Sequence, residues 1–205
     1  MIEMTMTYTS TIRTSLLIAI LAISLNGCAG LVVGGAATGV AVIHDRRSSG
    51  TVIDDQGLSW KVSSAIFEET ELSEPSHINV NVYNKVILLT GETPSEDLKL
   101  RANAIAAQTS GNKKIYNELA IASPTSLTTR TNDTYITAKV KTVLLEIDDI
   151  PTFDPTRVKV VTENSVVFLM GLVTTQEANA VTEKARNVSG VKKVVRLFEY
   201  ISSQQ

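Results

Sequence analysis

The sequence predicts an α+β protein made of two tandem copies of one αββαβ unit. Each copy is expected to form a small mixed three-stranded sheet with two helices on one face. Two observations carry this prediction. Residues 55–122 align segment by segment with residues 133–201, and in both copies the apolar residues change from helical to alternating spacing at matching places. Only two copies at a spacing near 80 residues indicate a domain duplication, because a solenoid needs more and shorter repeats.

Three pairs of segments carry the repeat. They are "WKVSSAIFEET" (60–70) with "AKVKTVLLEID" (138–148), "INVNVYNKVILLTGE" (78–92) with "VKVVTENSVVFLMGL" (158–172), and "SGNKKIYNELAI" (110–121) with "SGVKKVVRLFEY" (189–200). The domains are therefore placed at residues 55–122 and 133–205. A Ser/Thr-rich linker at residues 123–132 is expected between them.

Each copy should begin with a helix, which in the second copy carries a core stripe including Ile136, Val140 and Leu144. Asp133 or Thr134 is the predicted N-cap of that helix. Two strands of alternating apolar residues follow, joined by tight turns. These turns carry Asn84 and Asn164, and asparagine tolerates the positive φ that a hairpin needs.

The second half of each copy should be a helix followed by a strand. Gly91 and Gly171 are expected to end the second strands. Ser95 and Thr175 are fair caps for the next helices, which stop at Ser-Gly pairs. A strand follows each helix, so the strands on either side of it should be parallel neighbours.

The N-terminus reads as a lipoprotein signal peptide over residues 1–27. Its apolar run of ten residues, 16–25, is too short to span a bilayer and suits a secretory segment. Leu25 and Gly27 stand before Cys28 as in the bacterial lipobox that these residues resemble. That resemblance implies that Cys28 is lipidated and becomes the first mature residue, followed by a Gly/Ala-rich tether over residues 28–54. The alternative is a plain secretory signal with a buried free cysteine.

The strand ends "VILLTG" and "VVFLMG", with "SGVKKV", resemble the BON domain. Two such units after a lipobox resemble the dual BON-domain outer-membrane lipoproteins of the DolP/YraP type. The resemblance implies a non-enzymatic protein anchored at the periplasmic face of the outer membrane, where it supports membrane integrity. It also implies binding of anionic phospholipid through the first helix of the second domain. Ala29 after the cysteine, where aspartate would retain such lipoproteins elsewhere, agrees with the outer membrane.

That helix carries the residues expected to bind phospholipid, which are Tyr135, Ile136, Lys139, Lys141 and Leu145. On a helical wheel Leu145 falls opposite the core stripe, and an exposed leucine with a tyrosine and lysines suits an interfacial surface. The alternative is that Leu145 packs on the other domain and the lysines are only solvated. Trp60 could likewise meet lipid or the other domain, and the sequence favours packing between domains.

Other functions find little support in the composition. The net charge of −2 argues against nucleic-acid binding, which needs a basic excess. We find no catalytic motif, and we assign no metal or cofactor because His44 and His77 are far apart in sequence and Cys28 is the only cysteine. A protein-interaction module that docks on envelope machinery through its sheet face or first unit remains the main rival. A peptidoglycan or secretion-ring accessory is a third possibility, and the oligomeric state stays open.

Overall fold

The fold of the chain was obtained as a computed structural model that describes residues 45–202, and the predicted signal peptide and the predicted lipidation site at Cys28 lie outside them. The first domain contains α1 (Ser49–Glu68), α2 (Thr70–Ser73), β1 (His77–Tyr83), β2 (Val86–Thr93), α3 (Glu96–Gln108), β3 (Lys114–Asn117) and β4 (Ala120–Ile121). The second contains α4 (Leu127–Leu144), a 3-10 turn (Pro155–Arg157), β5 (Val158–Glu163), β6 (Val166–Val173), α5 (Thr175–Arg186) and β7 (Lys193–Tyr200). The predicted α+β class and tandem αββαβ order are confirmed.

Both sheets are mixed, as predicted, with an antiparallel hairpin and a parallel third strand. The second domain has the expected three strands. In the first domain the last strand is interrupted, so β3 and β4 pair separately with β2 and the sheet has four strands. The interruption falls where Leu119 turns into the core and its N–H bonds to the side chain of Asn117.

The hairpin turns have the predicted backbone, and their support comes from an unexpected residue. Asn84 and Asn164 have φ of 49° and 53°. Buried Asp133 accepts hydrogen bonds from the backbone N–H groups of Asn164 and Ser165, both at 2.8 Å. The predicted capping role of Asp133 or Thr134 is therefore wrong, because both lie inside α4 and Ser126 caps it by accepting from Thr129 N–H.

Both first helices begin six residues earlier than the domain starts expected at 55 and 133. Ser48 caps α1 by accepting a hydrogen bond from Thr51 N–H, so α1 takes up part of the predicted tether. The segment between β4 and α4 is correspondingly shorter than the predicted 123–132 linker. Gly91 and Gly171 also do not end their strands, since β2 and β6 each continue two residues beyond them.

In each domain the long helices cover one face of the sheet. Apolar residues from β2, Ile87 and Leu89, meet α1 and α3, and Val167 and Leu169 of β6 meet α4 and α5 in the same way. Burial of these aliphatic side chains supplies the main driving force for each domain, at about 1.5–3 kcal/mol per side chain.

The opposite faces of the two sheets pack against each other. This interface is built from Tyr83, Val86, Leu88, Phe168, Met170 and Leu197. The strands alternate, so neighbours of the helix-facing residues point to this second core. A protein partner could not dock on these sheet faces without separating the domains. This argues against docking through the sheet face, one of the two surfaces considered for a protein-interaction module.

Polar contacts along the edges of β1 and β5 add to this interface. Lys159 Nζ donates to Val82 O at 3.2 Å, and Asn79 donates to Glu163 Oε2 at 2.9 Å. Burial raises the pKa of Glu163, which the Asn79 hydrogen bond only partly offsets. Trp60 is 75% exposed, so the expectation that it packs between the domains is wrong.

Among residues 45–202, no helix combines the length and the hydropathy required to cross a bilayer.

Candidate lipid-binding face of the second domain

One side of α4 presents large apolar residues to solvent. Leu127, Tyr135 and Leu145 are 78%, 61% and 70% exposed. Leu145 is the C-cap of α4 and keeps a helical backbone conformation. It lies 18 residues from Leu127, about five helical turns, so the two leucines share one side of the helix, with Tyr135 about 80° around it. The exposure of Leu145 contradicts the alternative in which it packs on the other domain. Leu127 was missed because the sequence placed it in the linker.

Tyr135 and Lys139 form a pair on this face. Lys139 Nζ lies 4.6 Å from the centre of the Tyr135 ring, within the range of a cation–π contact. The same amino group donates to Ser189 O in the loop after α5. The pair is therefore held in place by contacts within the second domain, with the ring exposed and the positive charge beside it.

A groove of about 870 Å³ runs between α4 and α5 next to this pair. Val143, Ile147 and Val188 supply apolar lining, and Lys184 pairs with Glu146 at 3.4 Å on its rim. Its shape and chemistry suit an apolar chain with a charged end. Sequence analysis of α4 alone could not find it, because the opposite wall of the groove comes from α5 and the loop that follows it.

The position of α5 is fixed at its N-terminus by a capping box. Thr174 accepts from Glu177 N–H, and the Glu177 carboxylate accepts from Thr174 N–H at 2.8 Å. Arg46 makes a bidentate pair with the same carboxylate at 2.7 and 2.9 Å. Burial tends to raise the pKa of Glu177, but the Arg46 and Thr174 hydrogen bonds outweigh it, and the pKa lies below its usual value.

Lys141 lies on the other flank of α4, away from the groove. It lines a crevice of about 610 Å³ together with Arg47, Asp55, Trp60 and Lys159. Burial, with the nearby charge of Arg47, lowers the pKa of Lys159. Lys139 and Lys141 thus border the exposed apolar side of α4 from opposite edges.

Ile136 does not belong to this surface. Its side chain is 0% exposed and packs in the core of the second domain. The prediction that it binds phospholipid is corrected, since a ligand on the surface of α4 cannot reach it. Tyr135, Lys139, Lys141 and Leu145 remain available at the surface or in its crevices.

The first domain carries a separate apolar stripe on α1. Ile53, Trp60 and Phe67 are each more than two-thirds exposed and follow one another at intervals of seven residues. Fourteen residues of helix make this stripe about 21 Å long. The residues between them on this side of α1 carry no charge; they are Gln56, Gly57, Ser63 and Ser64. We call Ile53, Trp60 and Phe67 the α1 stripe.

Comparison with known proteins agrees with this architecture. The BON domain family model matches residues 54–123 and 132–202. The outer membrane lipoprotein DolP of Haemophilus influenzae is 37% identical over 179 residues, covering 87% of this chain and 91% of that protein. The 21 kDa hemolysin of Actinobacillus pleuropneumoniae is 36% identical over 157 residues, covering 77% of this chain and 79% of its own length. With two matched BON domains and this similarity along most of its length, the chain belongs to the BON-domain family and is a dual BON-domain protein of the DolP type.

Proposed function

We propose that the chain is a non-enzymatic lipoprotein, anchored at the periplasmic face of the outer membrane, that binds anionic phospholipid through α4 and so supports membrane integrity. The observation that carries the proposal is the exposed apolar side of α4, with Leu127, Tyr135 and Leu145 bordered by Lys139 and Lys141. The name of the Haemophilus relative, an outer membrane lipoprotein, supports the location.

The chemistry of this face fits a membrane interface. An aromatic ring settles at the level of the headgroups, leucines enter the acyl boundary, and lysines meet anionic lipid. Burying each leucine contributes about 1.5–3 kcal/mol, and each lysine near an anionic surface about 1 kcal/mol. The groove beside the Tyr135–Lys139 pair offers apolar lining to a phospholipid acyl chain that leaves the bilayer surface.

Such a face is too small to hold a protein on a membrane alone, so an acyl anchor is needed as well. Lipidation of Cys28 supplies it, because two or more acyl chains give stable attachment where one chain is marginal. The anchored protein then needs only weak contacts at α4 to settle against the bilayer.

The test uses the anchored full chain in vesicles. A cysteine is introduced in Leu145→Cys and labelled with an environment-sensitive dye, because lipidation would leave Cys28 without a free thiol. We expect a blue shift in vesicles that contain phosphatidylglycerol and a much smaller shift in neutral vesicles. Leu100→Cys is the matched control, an exposed leucine on α3 of the first domain.

Equal dye responses at positions 145 and 100 in both vesicle types would contradict lipid binding by α4. The anchor is tested separately with Cys28→Ser in cells. We expect this variant to stay unprocessed or to leave the membrane fraction, and an unchanged mass and location would argue for a plain secretory signal.

A second candidate function is docking on a protein partner, and the α1 stripe favours it. A groove of about 680 Å³ beside the stripe is lined by Trp60, Phe67 and Val80. The α1 stripe carries no lysine or arginine, so anionic lipid gains little there and an apolar protein surface fits better. A photo-crosslinking residue at position 60 should then give a specific adduct in cells, and one at position 100 should not.

A further inference from the structure

We propose that His77, Glu92 and Glu163 form a binding site for a divalent cation of the zinc type, and that the bound ion joins the two domains. His77 and Glu92 are cross-strand neighbours in β1 and β2 of the first domain. Glu163 is the last residue of β5 in the second domain. One ligand atom from each side chain lies within 4.8 Å of the others.

The distances are close to those of a coordination shell. His77 Nδ1 lies 3.3 Å from Glu92 Oε2 and 4.0 Å from Glu163 Oε1. Ligand atoms bound tetrahedrally to zinc at about 2.0–2.1 Å are separated by about 3.3–3.4 Å. The three side chains therefore need only small rotations to meet one ion. A fourth position would remain for water.

The charges at this place call for a cation. Glu92 is fully buried and Glu163 nearly so. Glu92 Oε2 accepts from the N–H and hydroxyl of Thr125 at 3.1 and 3.3 Å, whereas Oε1 is enclosed without a hydrogen-bond partner among the described residues. Buried carboxylates are paired with a cation or bound to a metal, because an isolated buried charge is very costly.

Arg130 does not fill this role. It lines a small cavity of about 260 Å³ with His77, Asn79 and Glu163, but within residues 45–202 it forms no ion pair with either carboxylate. One imidazole with two carboxylates is a donor set that binds zinc, and imidazole disfavours magnesium and calcium.

The location gives the ion a structural task. Glu92 also holds Thr125, in the short segment that leads into α4, so the site contacts both domains and their connection. An ion bound there would fix the second domain relative to the first through metal–ligand bonds, in addition to the apolar contacts of the sheet interface. It would also stabilise that connection against local opening.

The sequence did not point to this site. The two histidines are distant in the sequence, and each ligand stands alone within its own strand or turn. The only signal is a glutamate within the apolar strand "VILLTGET", and it becomes meaningful only when β1, β2 and β5 meet.

The test is titration of the full chain, purified in detergent and stripped with EDTA, with Zn²⁺ in a calorimeter. We expect one ion per chain and a melting temperature that rises with Zn²⁺ but not with Mg²⁺. His77→Ala and Glu163→Gln should each weaken Zn²⁺ binding at least tenfold. His44→Ala, which removes the other histidine of the chain, should leave it unchanged.

Folding is checked separately by circular dichroism of each metal-free variant. Glu163→Gln retains the size and the acceptor that Asn79 uses, and His77→Gln replaces His77→Ala if the latter fails to fold. Cleavage by protease within residues 122–126 gives a second readout. Zn²⁺ should slow it in the unmutated chain and in His44→Ala, but not in the His77 and Glu163 variants. Absence of saturable Zn²⁺ binding, or equal binding by folded His77 and Glu163 variants, would overturn the proposal.

Discussion

Asp55 in the first domain and Asp133 in the second occupy equivalent positions and make the same pair of hydrogen bonds. Each is buried on the first helix of its domain and accepts from two successive backbone N–H groups in the hairpin turn. For Asp55 the donors are Asn84 and Lys85 at 2.6 and 2.8 Å. Both aspartates thus tie a helix to a turn whose residues have positive φ.

Asp133→Ala should therefore lower the free energy of unfolding by about 1–3 kcal/mol, because it leaves two backbone N–H groups without their acceptors. Urea unfolding followed by circular dichroism measures the change. Asp149→Ala, at an exposed position, is the control and should change stability little. An equally small change for both variants would show that water replaces Asp133 at the turn.

In a chain that lacks the acyl anchor, removing positive charge from α4 should weaken binding to anionic vesicles. Lys139→Gln and Lys141→Gln should each lower the affinity about fivefold, which corresponds to about 1 kcal/mol per lysine. Sedimentation of residues 44–205, which form one compact unit, with phosphatidylglycerol vesicles measures this. Lys61→Gln, an exposed lysine of α1, serves as control. An effect of Lys61→Gln equal to that of Lys139→Gln would indicate general charge attraction.

The Arg46–Glu177 pair should make stability depend on acid pH. The pKa of Glu177 is lower in the folded chain than in the unfolded chain, so the folded state holds fewer protons between the two values. The stabilisation is complete above about pH 5 and is lost as pH falls through the folded pKa. In Glu177→Gln we expect lower stability at pH 7 and a flatter decline between pH 5 and 3. If stability fell equally steeply with pH in the unmutated chain and in Glu177→Gln, the Arg46–Glu177 pair would not be the source of the acid sensitivity.

Two glycines should respond in opposite directions to alanine. Gly91 has φ of 114°, and a Cβ there would lie 1.9 Å from His77 O, so Gly91→Ala should destabilise the chain by more than about 1 kcal/mol. Gly57 lies inside α1 with open space around it, so Gly57→Ala should stabilise by about 0.5–1 kcal/mol. Melting temperatures of both variants provide the measurement, and destabilisation by both would show that the space around Gly57 does not accept a Cβ.

The repeat made most of the fold predictable. Alternation and helical spacing are local patterns, and two copies of each pattern identified the same elements twice. Helix starts were predicted less well, because Asp133 resembles an N-cap by residue type while its actual partners, Asn164 and Ser165, lie about 30 residues away. Ser126, the actual cap, stood in a run of serines and threonines where no apolar periodicity marked a helix.

The sites were predictable only where one helix carries them. Tyr135, Lys139 and Leu145 could be placed on α4 by a wheel, and the structure exposes Tyr135 and Leu145. Ile136 stood next to Tyr135 in sequence, but a step of about 100° took it into the core. The α4–α5 groove and the cluster at His77 depend on contacts between distant strands and helices, for which a single sequence has no periodic signal.

The ion pair between Arg46 and Glu177 links the N-terminal segment of the chain to the second domain. Arg46 follows Cys28 by 18 residues and precedes α1 in the sequence, yet it pairs with Glu177 of the second domain. With an acyl anchor on Cys28, an extended backbone of this length reaches at most about 60 Å. If Cys28 is lipidated as proposed, the anchor would be joined to the second domain, and it would keep α4 at an effective concentration of about millimolar near lipid. A weak intrinsic affinity would be enough at that concentration, and it would leave α4 free to release lipid and bind it again.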